Sequence, residues 1–184
     1  MKFTPLAIPD IILVELDLHG DDRGYFAETF RQDLFNNAVS SQINFIQDNE
    51  SKSSKGVLRG LHYQLSPFSQ SKLVRVIKGS VLDVAVDIRK SSPTFGHHIA
   101  VELSSDNKKQ LFVPKGFAHG FVVLSDTATF AYKVDCLYAP EYERGIAFDD
   151  KDLKIDWQLS SDILKISNKD KNSPSLSNAK DLFD

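Results

Sequence analysis

Leu82, Val84, Val86 and Ile88 occupy alternate positions, with Asp83, Ala85, Asp87 and Arg89 between them. Side chains that change face at every residue mark an extended strand, and this alternation predicts a half-buried one. Leu73 to Ile77 precedes it across Lys78-Gly79-Ser80, a turn composition that joins antiparallel neighbours, so the two segments are expected to form a hairpin. Further apolar runs follow at Ile99 to Leu103, Leu111 to Val113, Phe121 to Leu124 and Ala128 to Val134. They are separated by Ser92-Pro93, Asp106-Asn107, Pro114-Lys115-Gly116 and Ser125-Asp126. No gap between these strands is long enough for a crossover helix, which argues against parallel βαβ units and for an all-β antiparallel sandwich or barrel.

Helical spacing is sparse, with a turn or two expected near Gln32 to Ala38 and another near Ser161 to Ile166. The stretch from Lys169 to Asn178 is rich in Lys, Asn, Ser and Asp and contains Pro174, the composition of a loop. No repeat or second domain is visible, so residues 1–184 are read as one domain, with 169–184 expected as a loosely ordered tail.

Charge and composition narrow the choices. Lys plus Arg total 22 against 25 for Asp plus Glu, a formal charge of -3 that provides no overall field for gathering nucleic acid or an anionic membrane. Any anionic ligand must therefore meet a local group of bases. Cys136 is the only cysteine, which excludes an intramolecular disulfide and a zinc site of several thiolates and suits a reducing compartment. Met1 to Leu16 lacks the layout of a secretory signal, and no apolar run approaches the roughly 18 residues that span a bilayer. The expected location is the cytoplasm.

The segment Gly56 to Gln64 places Arg59 and His62 in an otherwise apolar strand, where each needs a partner or a cavity. Taken alone, His62 reads most simply as a hydrogen-bonded core histidine. Strict alternation puts it on the face of Leu58, Gly60 and Gln64, with Arg59 opposite, so both reach one cavity only if the strand is distorted. Gly60 lies between them and predicts a bulge or sharp twist. Tyr132 shares a face with Phe130 and Val134; a core tyrosine is the plain reading, and a proton donor to a bound ligand the alternative.

Pro114-Lys115-Gly116-Phe117-Ala118-His119 has the form PxGxxH. It resembles the second motif of the cupin superfamily of small antiparallel barrels, and His62 falls where the first motif would be. Metal-binding cupins carry His-x-His there, whereas this chain reads His62-Tyr63-Gln64. With one imidazole replaced by an amide, no metal is expected, and the histidines are left for acid and base work. No GxxxxGK[ST] or GxGxxG loop is present, so a phosphate-bearing ligand would rest on side chains.

Longer stretches resemble the dTDP-4-dehydrorhamnose 3,5-epimerase family: Asp22 to Glu28, Gln47-Asp48-Asn49, Lys55 to Gln64, Lys72 to Val76, Ser91 to Gly96 and Pro114 to Phe121. The resemblance covers about Ile8 to about Pro174. It implies a cupin-type antiparallel jelly-roll barrel with a few short peripheral helices, no cofactor, and a homodimer in which the partner's N-terminal region completes each site. The implied substrate is a dTDP-linked 4-keto-6-deoxyhexose, inverted at C3 and C5.

Carried over by position, His62 would be the base, Tyr132 the acid, Asp170 the partner of the histidine, and Lys72 the cation beside the developing enolate. Arg23, Phe26, Glu28, Gln47, Asn49, Arg59, His119, Glu143 and Lys169 match nucleotide- or sugar-binding positions, and Tyr138 is a candidate for stacking on the base. Relatives that invert one centre or shift the ketone are the nearest alternatives. A noncatalytic sugar-binding barrel and a metal-dependent cupin are the readings from other classes.

Overall fold

The computed structural model describes Met1–Asp184. Its strands are β1 (Lys2–Pro5), β2 (Ile12–Glu15), β3 (His19–Asp21), β4 (Gly24–Phe26), β5 (Gln47–Ser54), β6 (Val57–Gln64) and β7 (Lys72–Lys78). After them come β8 (Ser80–Asp87), β9 (His98–Ser104), β10 (Gln110–Val113), β11 (Phe117–Val123), β12 (Thr127–Val134), β13 (Glu143–Gly145) and β14 (Lys165–Ile166). One sheet has the order β1-β2-β10-β7-β12-β5 and the other β13-β6-β11-β8-β9, while β3 and β4 form a separate hairpin. Apart from β14 beside β6, all the paired strands are antiparallel. The fold is an all-β, cupin-type jelly roll.

Val74, Val76, Leu111 and Phe130 of the first sheet meet Val81, Ala85, Phe117 and Phe121 of the second in one interior core. A second core lies on the outer face of the second sheet, where Leu58, Leu82, Val84 and Val86 are covered by Ile146, Leu153, Trp157 and Leu176 from the C-terminal part of the chain. Helix α1 (Gln32–Val39) covers the outer face of the first sheet by inserting Phe35 against Ile12, Val14, Leu73 and Phe112. Full burial of one such side chain contributes about 1.5–3 kcal/mol.

Three local expectations change. The segments around Gly79 do not pair as a hairpin: β7 lies between β10 and β12, whereas β8 lies between β11 and β9. Gly79, at φ 79°, turns the chain from one sheet into the other, and a Cβ there would stand 2.1 Å from the Thr127 carbonyl oxygen. Nor is β8 half-buried: the C-terminal segment covers its apolar face at Leu82, Val84 and Val86, while the face that alternation alone assigns to solvent turns inward, with Ala85 in the interior core. The region around Ser161 to Ile166 is a single 3₁₀ turn at Ser161–Ile163 followed by β14.

The C-terminal residues are also held more firmly than a loose tail. Asn168–Lys171 forms the short helix α2, Leu176 joins the outer core, and the Tyr63 hydroxyl donates to the Asp181 carbonyl at 2.7 Å. Apolar residues spaced among polar ones anchor the segment, which is why its composition reads as a tail.

Candidate active site

Between the sheets a cavity of about 510 Å³ opens to solvent, and its walls bring together His62, Lys72, Tyr132, Asp170, Arg59, His119 and Lys169. The convergence depends on an irregularity in β6. His119 pairs with His62 and Phe121 with Arg59, so one extra residue of β6 is accommodated between the two pairs. As a result Leu58 and Leu61 both enter the outer core, while Arg59 and His62 both face the cavity. Gly60 has φ 132°, and a Cβ on it would stand 2.5 Å from the Gly120 Cα; one on Gly120 would stand 2.6 Å from the Arg59 carbonyl oxygen. The two glycines permit the close crossing.

His62 Nε2 and Asp170 Oδ1 are 2.7 Å apart. The Asp170 carboxylate is buried and sits in α2, whose N-cap Ser167 accepts a hydrogen bond from the Asp170 amide at 3.1 Å. Burial pushes this carboxyl upward, but the contacts with His62, Ser167 and the Gly60 backbone outweigh it and hold it below the usual carboxylate range. The carboxylate can only accept, so it fixes the proton on Nε2 and leaves Nδ1 as the free nitrogen of a neutral ring.

Tyr132 and Lys72 come from β12 and β7, in the sheet facing β6. Burial raises the Tyr132 phenol, with Arg59 opposing and Glu143 reinforcing the shift, so the group is a protonated donor at neutral pH. Burial lowers the Lys72 ammonium to about 8, against the charges of Asp83 and Glu143. It remains mostly charged near neutrality while being poorly solvated, the state in which a cation stabilises a developing anion most strongly.

Around the mouth, Glu143 accepts from Lys169 Nζ at 2.5 Å and from the Tyr138 hydroxyl at 2.5 Å. Burial raises Glu143, and these two donors more than reverse it. Tyr138 is exposed and thus open to a stacking ligand. Gln47 donates to Asn49 at 2.7 Å, and Asn49, opposite Tyr132 in the ladder, lines a neighbouring hollow rather than the cavity of His62.

Arg23, Phe26 and Glu28 stand apart from this cavity. Arg23 is held by Asp21, and Phe26, at the end of β4, is 70% exposed. Other residues at the cavity escaped the sequence reading, among them Ser51, Phe121, Lys165 and Ser167. Asp83, which bonds His119 from within the fold, also escaped it, although an acid inside the alternating run of β8 was a visible signal. Gln64 is occupied structurally: its amide donates to the carbonyls of Phe68 at 2.7 Å and Leu137 at 3.2 Å and accepts from the Ala139 amide at 2.7 Å.

The barrel and its interior groups define a cupin-type protein equipped for proton transfer. Residues 5–178 match the family model described as dTDP-4-dehydrorhamnose 3,5-epimerase, and the chain belongs to that family. It is 54% identical over 172 residues to the dTDP-4-dehydrorhamnose 3,5-epimerase of Shigella flexneri, covering 94% of each chain. With the Pseudomonas aeruginosa enzyme of that name it shares 51% identity over 179 residues, covering 97% of this chain and 98% of the other. It also matches the crystal structure of the Legionella pneumophila dTDP-6-deoxy-D-glucose-3,5-epimerase in complex with dTDP-4-keto-L-rhamnose, with a TM-score of 0.93, 46% identity, and coverage of 97% of this chain and 94% of that one.

Proposed function

We propose that the chain converts dTDP-4-dehydro-6-deoxy-D-glucose to dTDP-4-dehydro-L-rhamnose, with His62 as base and Tyr132 as acid. The observation that carries this reading is the placement of the His62–Asp170 pair and the Tyr132 phenol on facing sheets around one cavity. C3 and C5 both flank the C4 ketone. Nδ1 of His62 takes the proton from one of these carbons, and the bonding pair moves onto the ketone oxygen as an enolate. Lys72 stabilises that oxygen, and Asp170 steadies the imidazolium.

Inversion needs the new C–H bond on the opposite face, which one base cannot form with a fixed substrate. Tyr132 gives its proton there as the enolate collapses to the ketone; His62 releases its proton to solvent and the phenolate regains one. A second round at the other carbon completes the product. Each positioned acid or base contributes about 10² to 10⁴ in rate.

Arg59 and Lys169 supply local positive charge and donors for the diphosphate, His119 lines the same cavity, and Tyr138 supplies a ring for the base. Arg23, Phe26 and Glu28 are assigned to the cavity of a second copy in a homodimer; their exposure away from their own cavity supports that assignment. No helix is long and apolar enough to cross a membrane. The lone cysteine favours the cytoplasm.

The test is incubation with the 4-keto substrate in deuterated water, with NMR counting deuterium and configuration at each carbon. Deuterium at C3 and C5 with inversion at both is expected. Exchange at only one carbon would limit the enzyme to that centre, and no exchange would overturn the reading.

A further inference from the structure

We propose that Gln64 is a positioning residue for recognition of the nucleotide base, fixing the backbone on both sides of Tyr138 so that its ring is presented before a ligand arrives. The inference rests on the stacking role given above to Tyr138. Tyr138 lies between the end of β12 at Val134 and a 3₁₀ turn at Pro140–Tyr142. Asp135 to Tyr138 form no hydrogen bond from backbone to backbone, and Leu137 and Tyr138 are both more than half exposed.

A ring on such a stretch would sample many positions, and a ligand that needs one of them is weakened in proportion to the time spent in the rest. Here a side chain takes the place of a ladder. Gln64 Nε2 donates to the Leu137 carbonyl at 3.2 Å, and Gln64 Oε1 accepts from the Ala139 amide at 2.7 Å. These are the residues directly before and after Tyr138. The Tyr138 hydroxyl meets Glu143, which itself stands opposite Gln64 in the ladder of β13 and β6. Backbone and ring tip are thus anchored at one point on β6.

Gln64 is buried, ends β6 and does not line the cavity of His62. Its second amide hydrogen goes to the Phe68 carbonyl at 2.7 Å, so only one orientation of the amide satisfies all three partners. The connection around Phe68 is tied to the Tyr138 segment a second time, by Gln70 Nε2 on the Cys136 carbonyl at 2.7 Å, and Phe68 packs on Tyr142 with ring centroids 4.6 Å apart. A buried amide and its backbone partners are costly to leave unsatisfied, which holds the segment in this one arrangement.

The test is a double-mutant cycle of Gln64→Met and Tyr138→Ala, read by calorimetric titration with dTDP and by kcat and KM for the nucleotide sugar. Methionine keeps the length of the side chain and removes all three hydrogen bonds, which leaves the Ala139 amide and two carbonyls to reach water by moving outward. Gln64→Met is expected to weaken dTDP binding and to raise KM by about tenfold, with kcat changed by less than about twofold. In the Tyr138→Ala background the same substitution should change affinity by less than about twofold, because no ring is left to position. Losses that add in full would show that Gln64 acts without Tyr138 and overturn the proposal while the stacking role stands. A Tyr138→Ala protein that binds dTDP as the wild type does would remove the stacking role and the proposal with it. A fall in kcat at unchanged KM would also overturn the proposal. Should Gln64→Met not fold, amide hydrogen exchange of the wild type decides: an Ala139 amide protected in the ligand-free protein supports a prepositioned ring, and one protected only after dTDP is added overturns it.

Discussion

His62 and Asp170, 108 residues apart in the chain, meet at 2.7 Å because α2 folds the C-terminal segment back against β6. The segment that a loop-like composition marks as a tail therefore completes the base. Its acid is buried and bonded to Nε2, so substrate can approach the free Nδ1 without displacing the partner.

Replacing His62 with Asn is expected to lower kcat by about 10² to 10⁴ or more while leaving much of the substrate affinity, since a positioned base acts on the chemical step and not on binding. Single-turnover kinetics together with calorimetric titration of the nucleotide sugar would measure both. Substantial turnover by a correctly folded variant would remove His62 from the role of base.

Asp170→Asn probes the pair from the other side. The amide can still accept from Nε2, so the ring orientation survives, while the negative charge that steadies the imidazolium is lost. We expect kcat to fall by about 10² to 10⁴ with little change in KM. A variant that mainly raises KM would show that Asp170 acts through binding.

Tyr132→Phe separates abstraction from reprotonation. The phenyl ring keeps the packing beside Phe130 but has no proton to give. Solvent deuterium is expected to enter at a carbon beside the ketone with retained configuration, and inversion to be lost more severely than exchange. Parallel loss of both signals in an NMR time course would contradict the division of labour between the two faces.

Much of this arrangement is legible in the chain before folding. Period-two alternation in β8 and short apolar runs through β12 announce antiparallel strands, and Gly60 between Arg59 and His62 announces the bulge that lets both face inward. What alternation cannot reveal is which sheet a strand joins. The turn at Gly79 looks like a hairpin turn, yet β7 and β8 separate because each finds its ladder with strands distant in sequence. β5 is hidden for a related reason. Its residues, Gln47–Ser54, are all polar, and it is a strand because β12 offers a complete ladder along its length. Asp83 was visible as an acid in an apolar run, but its partner His119 comes from β11 and only the fold joins them.

The crossing of β6 and β11 gives a prediction about geometry. In Gly120→Ala the new methyl would meet the Arg59 carbonyl oxygen at 2.6 Å and the Gly60 Cα at 3.0 Å, both backbone atoms that cannot rotate away. The strands must separate at the bulge that aims Arg59 and His62. Overpacking of this kind costs about 1–3 kcal/mol, a fall in Tm of roughly 2–12 °C for a chain of this size. Activity should fall further than stability alone explains, and a native melting curve with native kcat would show that the crossing tolerates a side chain.

Acid stability follows from a second buried carboxylate, far from the chemistry. Asp87 is inaccessible to solvent and accepts hydrogen bonds from Arg89 at 2.7 and 2.9 Å and from Ser92 and Thr94 at 2.6 Å each. Burial pushes its carboxyl upward, but these donors more than reverse the effect and lower it from 3.8 to about 2. Because the folded value lies below the unfolded one, the stabilisation is fully present above pH 3.8 and is lost as pH falls through about 2. The difference corresponds to about 2 kcal/mol. Urea unfolding at a series of pH values should show that loss, and Asp87→Asn should be less stable at pH 7, because Arg89 loses its buried carboxylate and keeps only the exposed Asp10, with a shallower fall between pH 4 and pH 2. An equally steep acid dependence in the variant would assign the loss to other carboxylates.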